Sequence, residues 1–242
     1  MNSEKQKIVK LDRKKMPKHV AIIMDGNRRW AKKNKKMIWA GHNRVLNEML
    51  EPLVRRAAEL KIGYITFWAW STENWGRSLL ERRAIMKLFR EGLKRDESIL
   101  WELKIRLNFI GDISKFPKDI VDQVKEWVEK TRKNKKLTVT FALNYGGRDE
   151  LLRAIRRMSQ ESGIRNHELN EEDLEKYLDT AEMPDPDLII RTGGEKRLSG
   201  FMSWQSAYSE LYFTETLMPD FNVGEFDKAL VDYQGRKRRF GS

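Results

Sequence analysis

The sequence predicts a single α/β domain: a mostly parallel sheet of about six strands with helices on both faces. Three observations predict it. Short apolar runs rich in β-branched and aromatic residues alternate with stretches of helical periodicity. No internal repeat and no Pro/Ser-rich linker divides the chain, whose 242 residues, 40% of them hydrophobic, can bury a substantial core. Polar clusters of Asp, Asn, Arg and Gly follow several of the apolar runs, at the strand ends where open α/β sheets bind ligands.

Each element follows from its residues. Residues 1–16 form a polar lead-in ahead of a domain over 17–242. Residues 18–24 read as the first strand, because Val20 to Met24 is too short for an independent helix and rich in β-branched side chains. Asp25-Gly26-Asn27 breaks the run as a turn, and Arg28 to Lys33 resumes with helix-compatible residues. Asn43 to Lys61 carries Val45, Leu46, Met49, Leu50, Leu53, Val54, Ala57 and Leu60 at helical spacing, and Pro52 predicts a kink or break there. Gly63 ends it. Tyr64 to Trp70 is the second strand, with strict alternation placing Trp68 and Trp70 on one face, opposite Phe67 and Ala69. A long helix is expected from Leu79 to Leu103, its apolar side supplied by Ile85, Met86, Leu88, Phe89, Leu93, Ile99 and Leu100. Strands at Ile105 to Ile110, Leu137 to Leu143, Asp187 to Ile190 and Glu210 to Phe213 then alternate with helices at Asp119 to Thr131, Asp149 to Met158, Glu171 to Leu178 and 224–234. A basic tail closes the chain.

Composition excludes several chemistries. The absence of cysteine rules out disulfides and thiolate metal sites, and three scattered histidines, His19, His42 and His167, argue against zinc. No apolar stretch approaches a membrane span and the charged N-terminus is no signal peptide, so a cytoplasmic protein is expected. The net charge of +12 favours anionic partners: nucleic acid, anionic lipid surfaces or phosphorylated small molecules. For most of the lysines and arginines, a solvated surface is the simpler reading.

Two turns have the composition of phosphate grips. In the first, Asp25-Gly26-Asn27-Arg28-Arg29, a strand, a turn and a helix start offer backbone N–H groups, and two arginines are shaped to hold phosphate. Asp25 would be repelled by a bare diphosphate, and makes sense if magnesium lies between them. Most such turns only cap a helix. The second, Arg191-Thr192-Gly193-Gly194 with Arg197 and Ser199, lets backbone N–H groups approach oxygen atoms. Together they suggest two phosphate-bearing ligands. No Walker lysine loop, nucleotide fingerprint or aspartate-rich prenyl synthase motif is present, and no nucleophilic serine or cysteine stands out. Phe67, Trp68, Trp70 and Trp75 are either ordinary core or the wall of an oily channel beside the phosphate sites.

The stretches His19 to Trp30, Gly41-His42, Ser71-Thr72-Glu73-Asn74-Trp75, Ile110-Gly111-Asp112, Leu143 to Arg148, Asp187 to Glu195 and Ser209 to Phe213 resemble the cis-prenyltransferase family, of the undecaprenyl diphosphate synthase type. The resemblance covers the chain from about Pro17 to Ser242. It implies a parallel α/β sheet with a hydrophobic tunnel, usually in a homodimer. The implied reaction condenses isopentenyl diphosphate repeatedly onto an allylic diphosphate, such as farnesyl diphosphate, with cis double bonds, giving a long-chain polyprenyl diphosphate. It implies that Asp25 holds Mg2+ and that Gly26, Asn27, Arg28, Arg29 and Trp30 surround the allylic diphosphate, with His42 nearby. Ser71 and Asn74 lie where the family handles the proton lost from isopentenyl diphosphate, with Glu73, Trp75 and Arg77 on the same rim. Arg191, Arg197 and Ser199 match the isopentenyl diphosphate clamp, Glu210 a second metal contact, and Arg239-Phe240-Gly241 a closing motif. Ala69, Leu88, Phe89 and Leu137 are expected to wall the tunnel.

The chain departs from the pattern at three places. Many bacterial members have Gly where this chain has Arg28, often an Arg where it has Ile38, and usually Pro where it has Ser78. Two other readings stand beside an active enzyme: a non-catalytic scaffold subunit of a heteromeric prenyltransferase, and a basic nucleic-acid binder. The retained Asp25, Asn74, Arg191, Arg197, Ser199 and Glu210 argue against the first, and the lack of a binding motif against the second. Peripheral membrane contact through an oily product is also expected.

Overall fold

The computed structural model describes residues 11–94, 98–160 and 170–237. The Arg239-Phe240-Gly241 motif, His167 and most of the lead-in lie outside them.

Six strands form one sheet in the order β3-β4-β2-β1-β5-β6, every neighbouring pair parallel. They are β1 (His19–Ile23), β2 (Tyr64–Ser71), β3 (Ile105–Ile110), β4 (Leu137–Tyr145), β5 (Leu188–Arg191) and β6 (Glu210–Phe213). The central strands β1 and β5 are buried along their whole length, as the near-continuous Val/Ile/Leu runs of a parallel sheet require. From β1 the chain builds the sheet outward through β2 on one side, and later returns to add β5 and β6 on the other. The order therefore reverses between β1 and β5, and the crevice beyond their carboxyl ends is where such sheets bind ligands.

The helices are α1 (Asn27–Lys33), α2 (Ala40–Arg44), α3 (Leu50–Glu59), α4 (Leu79–Leu93), α5 (Ser98–Glu102), α6 (Lys118–Thr131), α7 (Gly147–Gln160), α8 (Glu171–Glu175) and α9 (Val223–Gly235). On one face of the sheet, Ile22, Ile65, Phe67 and Val139 pack with Leu53, Val54 and Ala57 of α3 and with Phe226, Ala229 and Leu230 of α9. Trp70 and Leu143 continue that face towards Ile85 and Met86 of α4 and Ile120 and Val124 of α6. On the other face Ala21, Ile23, Ala142 and Ile189 pack with Phe201 and Met202, while Glu150 of α7 accepts a hydrogen bond from Tyr145 Oη (2.6 Å).

The structure corrects several expected elements. The stretch at 43–61, where Pro52 predicts a kink or break, is interrupted just before that residue, as α2, a π-helical turn at Val45–Met49, and α3. Pro52 in the first turn of α3 cannot donate to the carbonyl four residues back, and the wider turn upstream accommodates that loss. The helix expected at 79–103 is two elements: α4 stops after Gly92-Leu93, at Lys94 with φ −102° and ψ 6°, and α5 begins at Ser98. Strand β4 runs past its expected end at Leu143, through Asn144 and Tyr145. Trp68 and Trp70 do not share a face. The register of β2 against β4 shifts between them, and an extra residue in a strand reverses the alternation beyond it. Trp68 stacks on Phe201 (centroids 4.9 Å apart), whereas Trp70 packs edge-on against Trp75 and Phe89.

Candidate active site

Asp25 lies just beyond β1 and Arg191 ends β5, so the switch point brings the two expected phosphate turns together. Arg191 Nη2 donates to Asp25 Oδ2 at 3.0 Å. The other carboxylate oxygen, Oδ1, accepts from Gly26 N at 2.6 Å and lies 3.2 Å from Arg29 Nη2. Partial burial works to raise the Asp25 carboxyl; the Arg191 hydrogen bond, the Gly26 N–H and the Arg29 guanidinium outweigh it and hold the group below its ordinary range. Thr192 Oγ1 and Met218 N both donate to the Asp25 backbone carbonyl, fixing the turn from below.

Glycines make this junction possible. Gly193 has φ 87°, and a Cβ there would lie 2.7 Å from Arg29 Nη2. Its bare backbone lets Arg29 Nη1 donate to the Gly193 carbonyl at 2.6 Å, tying the two turns a second time. Arg191 itself is buried, with Nη1 donating to Ser199 Oγ (2.8 Å) and to the Arg197 carbonyl.

A second polar group faces this one. Ser71 ends β2, and Asn74 caps back on it: Asn74 Oδ1 accepts from Ser71 N (3.1 Å) while the Ser71 side chain accepts from Asn74 N. With its oxygen engaged, the Asn74 amide is oriented as a donor. Arg77 is held by Glu81 (3.1 Å), a buried carboxylate that also lies 3.8 Å from Arg28 Nε. Arg77 Nη1 sits 3.5 Å from His42 Nε2. Burial pushes the His42 imidazole down to about 3, with Arg77 and Arg28 adding to the effect, so the ring is neutral at pH 7.

These groups form the mouth of a cavity of about 1430 Å3, above the roughly 300–1,000 Å3 of an ordinary small-molecule site. Asp25, Gly26, Asn27, Arg28, Arg29, His42, Ser71, Glu73, Asn74, Arg77, Arg191 and Ser199 all line it. Beyond them the wall is apolar. It runs between the sheet and helices α3, α4 and α5, past Leu50, Val54, Ala69, Leu88, Phe89 and Phe141, to Ile99, Leu100 and Ile105. The cavity thus extends from the carboxyl ends of the strands to the start of β3. Leu137, expected in the wall, is not there; Val139, Phe141 and Leu143 of the same strand are.

Four expected site residues are not brought to the cavity. Trp30 is buried with Nε1 donating to Asp220 (2.9 Å) and Arg44 over its ring. Trp75 donates to Asn144 Oδ1 (2.8 Å) and packs on Phe116. The Arg197 guanidinium pairs with Glu195, and only its carbonyl meets Arg191. Glu210 begins the edge strand β6, in register with Leu188 and through it with Val20, five positions before Asp25. That is roughly 16 Å along the strands and about 10 Å across them; Arg236 holds its carboxylate at 2.8 Å.

Sequence reasoning missed Glu81 and Lys32. Glu81 carries a signal, lying four residues after Arg77 and behind the capping Ser78. Lys32 reads in sequence as part of an ordinary basic run; of Arg28, Lys35 and Lys36, the residues that could supply the contact lacking at Ile38, Arg28 and Lys36 line the cavity and Lys35 does not.

A family model described as "Putative undecaprenyl diphosphate synthase" matches residues 23–241. An isoprenyl transferase of Clostridium tetani is 44% identical over 234 residues, covering 96% of this chain and 91% of its own length. One of Aquifex pyrophilus is 46% identical over 227 residues, 94% of this chain and 96% of the relative. Among solved structures, lavandulyl diphosphate synthase from Lavandula x intermedia, in complex with dimethylallyl diphosphate, superposes with a TM-score of 0.90 at 34% identity, covering 95% of this chain and 100% of that one. A probable undecaprenyl diphosphate synthase from Campylobacter jejuni gives 0.75 at 34% identity, with 93% and 99% covered.

Proposed function

This chain belongs to the undecaprenyl diphosphate synthase family of isoprenyl transferases and is a cis-prenyltransferase, and we propose that it adds isopentenyl diphosphate repeatedly to an allylic diphosphate to build a long-chain polyprenyl diphosphate. The observation that carries the reading is the pairing of a cationic mouth with a deep apolar cavity. A substrate with an anionic head and a growing hydrocarbon tail fits that pairing.

Arg28, Arg29 and the start of α1 at Asn27 take the allylic diphosphate, with neutral His42 beside it; the Gly26 N–H is already given to Asp25. Arg191 and Ser199 take isopentenyl diphosphate; the Gly193 and Gly194 N–H groups, expected there, are instead given to the Thr216 and Thr214 carbonyls. Holding the two heads at one switch point brings the reacting carbons together and removes much of the orientational cost of the reaction. The allylic C–O bond breaks with its electron pair going to the leaving diphosphate. The isopentenyl double bond attacks the allylic carbon, and the proton lost from the new chain passes, beside the Ser71–Asn74 couple, to an oxygen of the departing diphosphate. Arginines fixed in advance stabilise the charge that develops on the leaving group more than they stabilise the ground state.

Asp25 is an ionised, half-buried carboxylate at the mouth. Among the described residues no cluster of three or more His, Asp or Glu could hold a metal alone. One carboxylate plus substrate phosphates is how Mg2+ is commonly bound, so the donor set fits Mg2+ held chiefly by the diphosphate and Asp25. When bound, Mg2+ would neutralise charge on the departing diphosphate. Within one chain Glu210 is too distant to share that ion, and a role for it there calls for a second copy. Leu152 and Ile155, one turn apart on α7 and both exposed, suit a homodimer contact. No helix among the described residues is long and apolar enough to cross a membrane, and we read the chain as cytoplasmic with peripheral membrane contact.

The test is incorporation of labelled isopentenyl diphosphate into butanol-extractable product from an allylic primer. Magnesium-dependent incorporation is expected, with EDTA abolishing it. A purified, folded protein that incorporates nothing with any primer length would favour the scaffold reading instead.

A further inference from the structure

A second pocket, of about 530 Å3, lies on the outer side of α4, behind the Ser71–Gly76 loop. Trp75, Phe116, Pro117 and Met86 supply apolar surface, and Arg82, Arg83, Arg90 and Lys115 line it with cations. Only Arg90 is neutralised, by Asp119. Arg82, Arg83 and Lys115 carry no ion pair among the described residues, and Arg82 Nε is shielded from water without a hydrogen-bond partner. Buried donors are rarely left unmet, so the pocket is short of an acceptor.

Beside it, Leu79 and Leu80 stand 54% and 66% exposed in the first turn of α4. Two leucines next to three uncompensated cations form an amphipathic patch. Its chemistry matches the boundary of an anionic bilayer: phosphate for the cations and acyl chain for the leucines. Another protein surface would have to match both at once, whereas a bilayer supplies both over any area. The same helix lines the catalytic cavity on its inner side through Ile85, Leu88 and Phe89.

We propose that this pocket binds the phosphate headgroup of an anionic phospholipid, with Leu79 and Leu80 inserted beside it, so that α4 seats the mouth of the catalytic cavity against the membrane. This names the surface for the peripheral contact read above and rests on that reading; the binding does not depend on turnover. A polyprenyl product then leaves along a short path into lipid rather than through water.

The test is cosedimentation of the full chain with vesicles of phosphatidylcholine alone or with 30% phosphatidylglycerol. Binding is expected only to the anionic vesicles and should weaken with salt. At about 1 kcal/mol per surface cation, Arg82→Gln/Arg83→Gln/Lys115→Gln should bind about a hundredfold more weakly. Leu79→Ser/Leu80→Ser should lose binding while keeping all its charge. Both variants should retain wild-type incorporation with a water-soluble short primer, which separates this proposal from the catalytic one. Equal binding by wild type and both variants would overturn it. So would binding of inorganic phosphate at the pocket, seen as protection of Trp75 fluorescence, without vesicle binding. Loss of self-association in the leucine variant would show the patch to be a contact between copies.

Discussion

The two faces of the sheet use the same strands to opposite ends. Behind the sheet, Ala142 and Ile189 pack on the fully buried Phe201 and Met202, and a chain of side-chain hydrogen bonds joins Tyr145 to Glu150, Glu150 to Gln205 and Gln205 to Thr180. In front, a cavity of about 1430 Å3 opens between the sheet and residues of α3, α4 and α5. The polar groups at its mouth remain available to a ligand. The packed face backs the strands that carry Asp25 and Arg191, and the open face has the room that the proposed growing chain needs. The contrast teaches that the Asp25–Arg191 junction is supported from the face opposite the cavity.

The contrast breaks most sharply at the junction itself. Asp25→Ala should lower kcat by about 10^2- to 10^3-fold or more, the scale on which loss of one preorganised electrostatic group acts. Retained folding by circular dichroism would separate this from collapse, since Arg191 loses its partner but keeps Ser199. Wild-type turnover in this variant would refute the assignment.

Next comes truncation on either face. Phe201→Ala, wholly buried and stacked on Trp68, should cost about 3–5 kcal/mol of stability by urea unfolding, with product length unchanged. Leu88→Ala already borders a void, so fewer contacts are lost and the cost should be under about 2 kcal/mol. Chromatography of the product should show longer chains from the Leu88 variant. Equal costs on both faces would remove the distinction.

Acid should act on both faces. Burial pushes His19 down to about 4 and His42 down to about 3, each from an ordinary 6.5. The unfolded chain therefore binds more protons than the native one below 6.5. Stability is full above that pH and falls as pH drops towards 4. A Tm series from pH 8 to 4 should show this fall, and His42→Gln should make it shallower.

The smallest expected effect is at the rim. Ile38→Arg would add a cation where Lys32 and Lys36 already line the cavity. It should lower KM for the allylic substrate severalfold and leave Tm within a degree or two.

Much of this was legible in the sequence, for a physical reason. The β1 run, its Asp25 turn and the Arg191 turn are short contiguous signals, and a parallel sheet places their ends on one rim whatever the packing details. The faces of Trp68 and Trp70 were not legible, because a single register shift in β2 reverses the alternation and leaves no mark in composition. A break near Pro52 was legible, though not its form as a π turn upstream; the division of residues 79–103 was overlooked although Gly92 and the polar run Lys94 to Ser98 interrupt the apolar pattern.

The sequence by itself determined the strands, their parallel pairing and the chemistry carried to their carboxyl ends, because these follow from residue type and local spacing. Tertiary structure alone decided that Asp25 and Arg191 lie 3.0 Å apart, that Trp30 and Trp75 turn away, and that Glu210 sits at the far end of the sheet. Strand order set the first and last of these, side-chain contacts turned the two tryptophans, and the cavity exists only as space between packed elements. Distances between parts remote in the chain belong to no single segment, so no reading of segments could supply them.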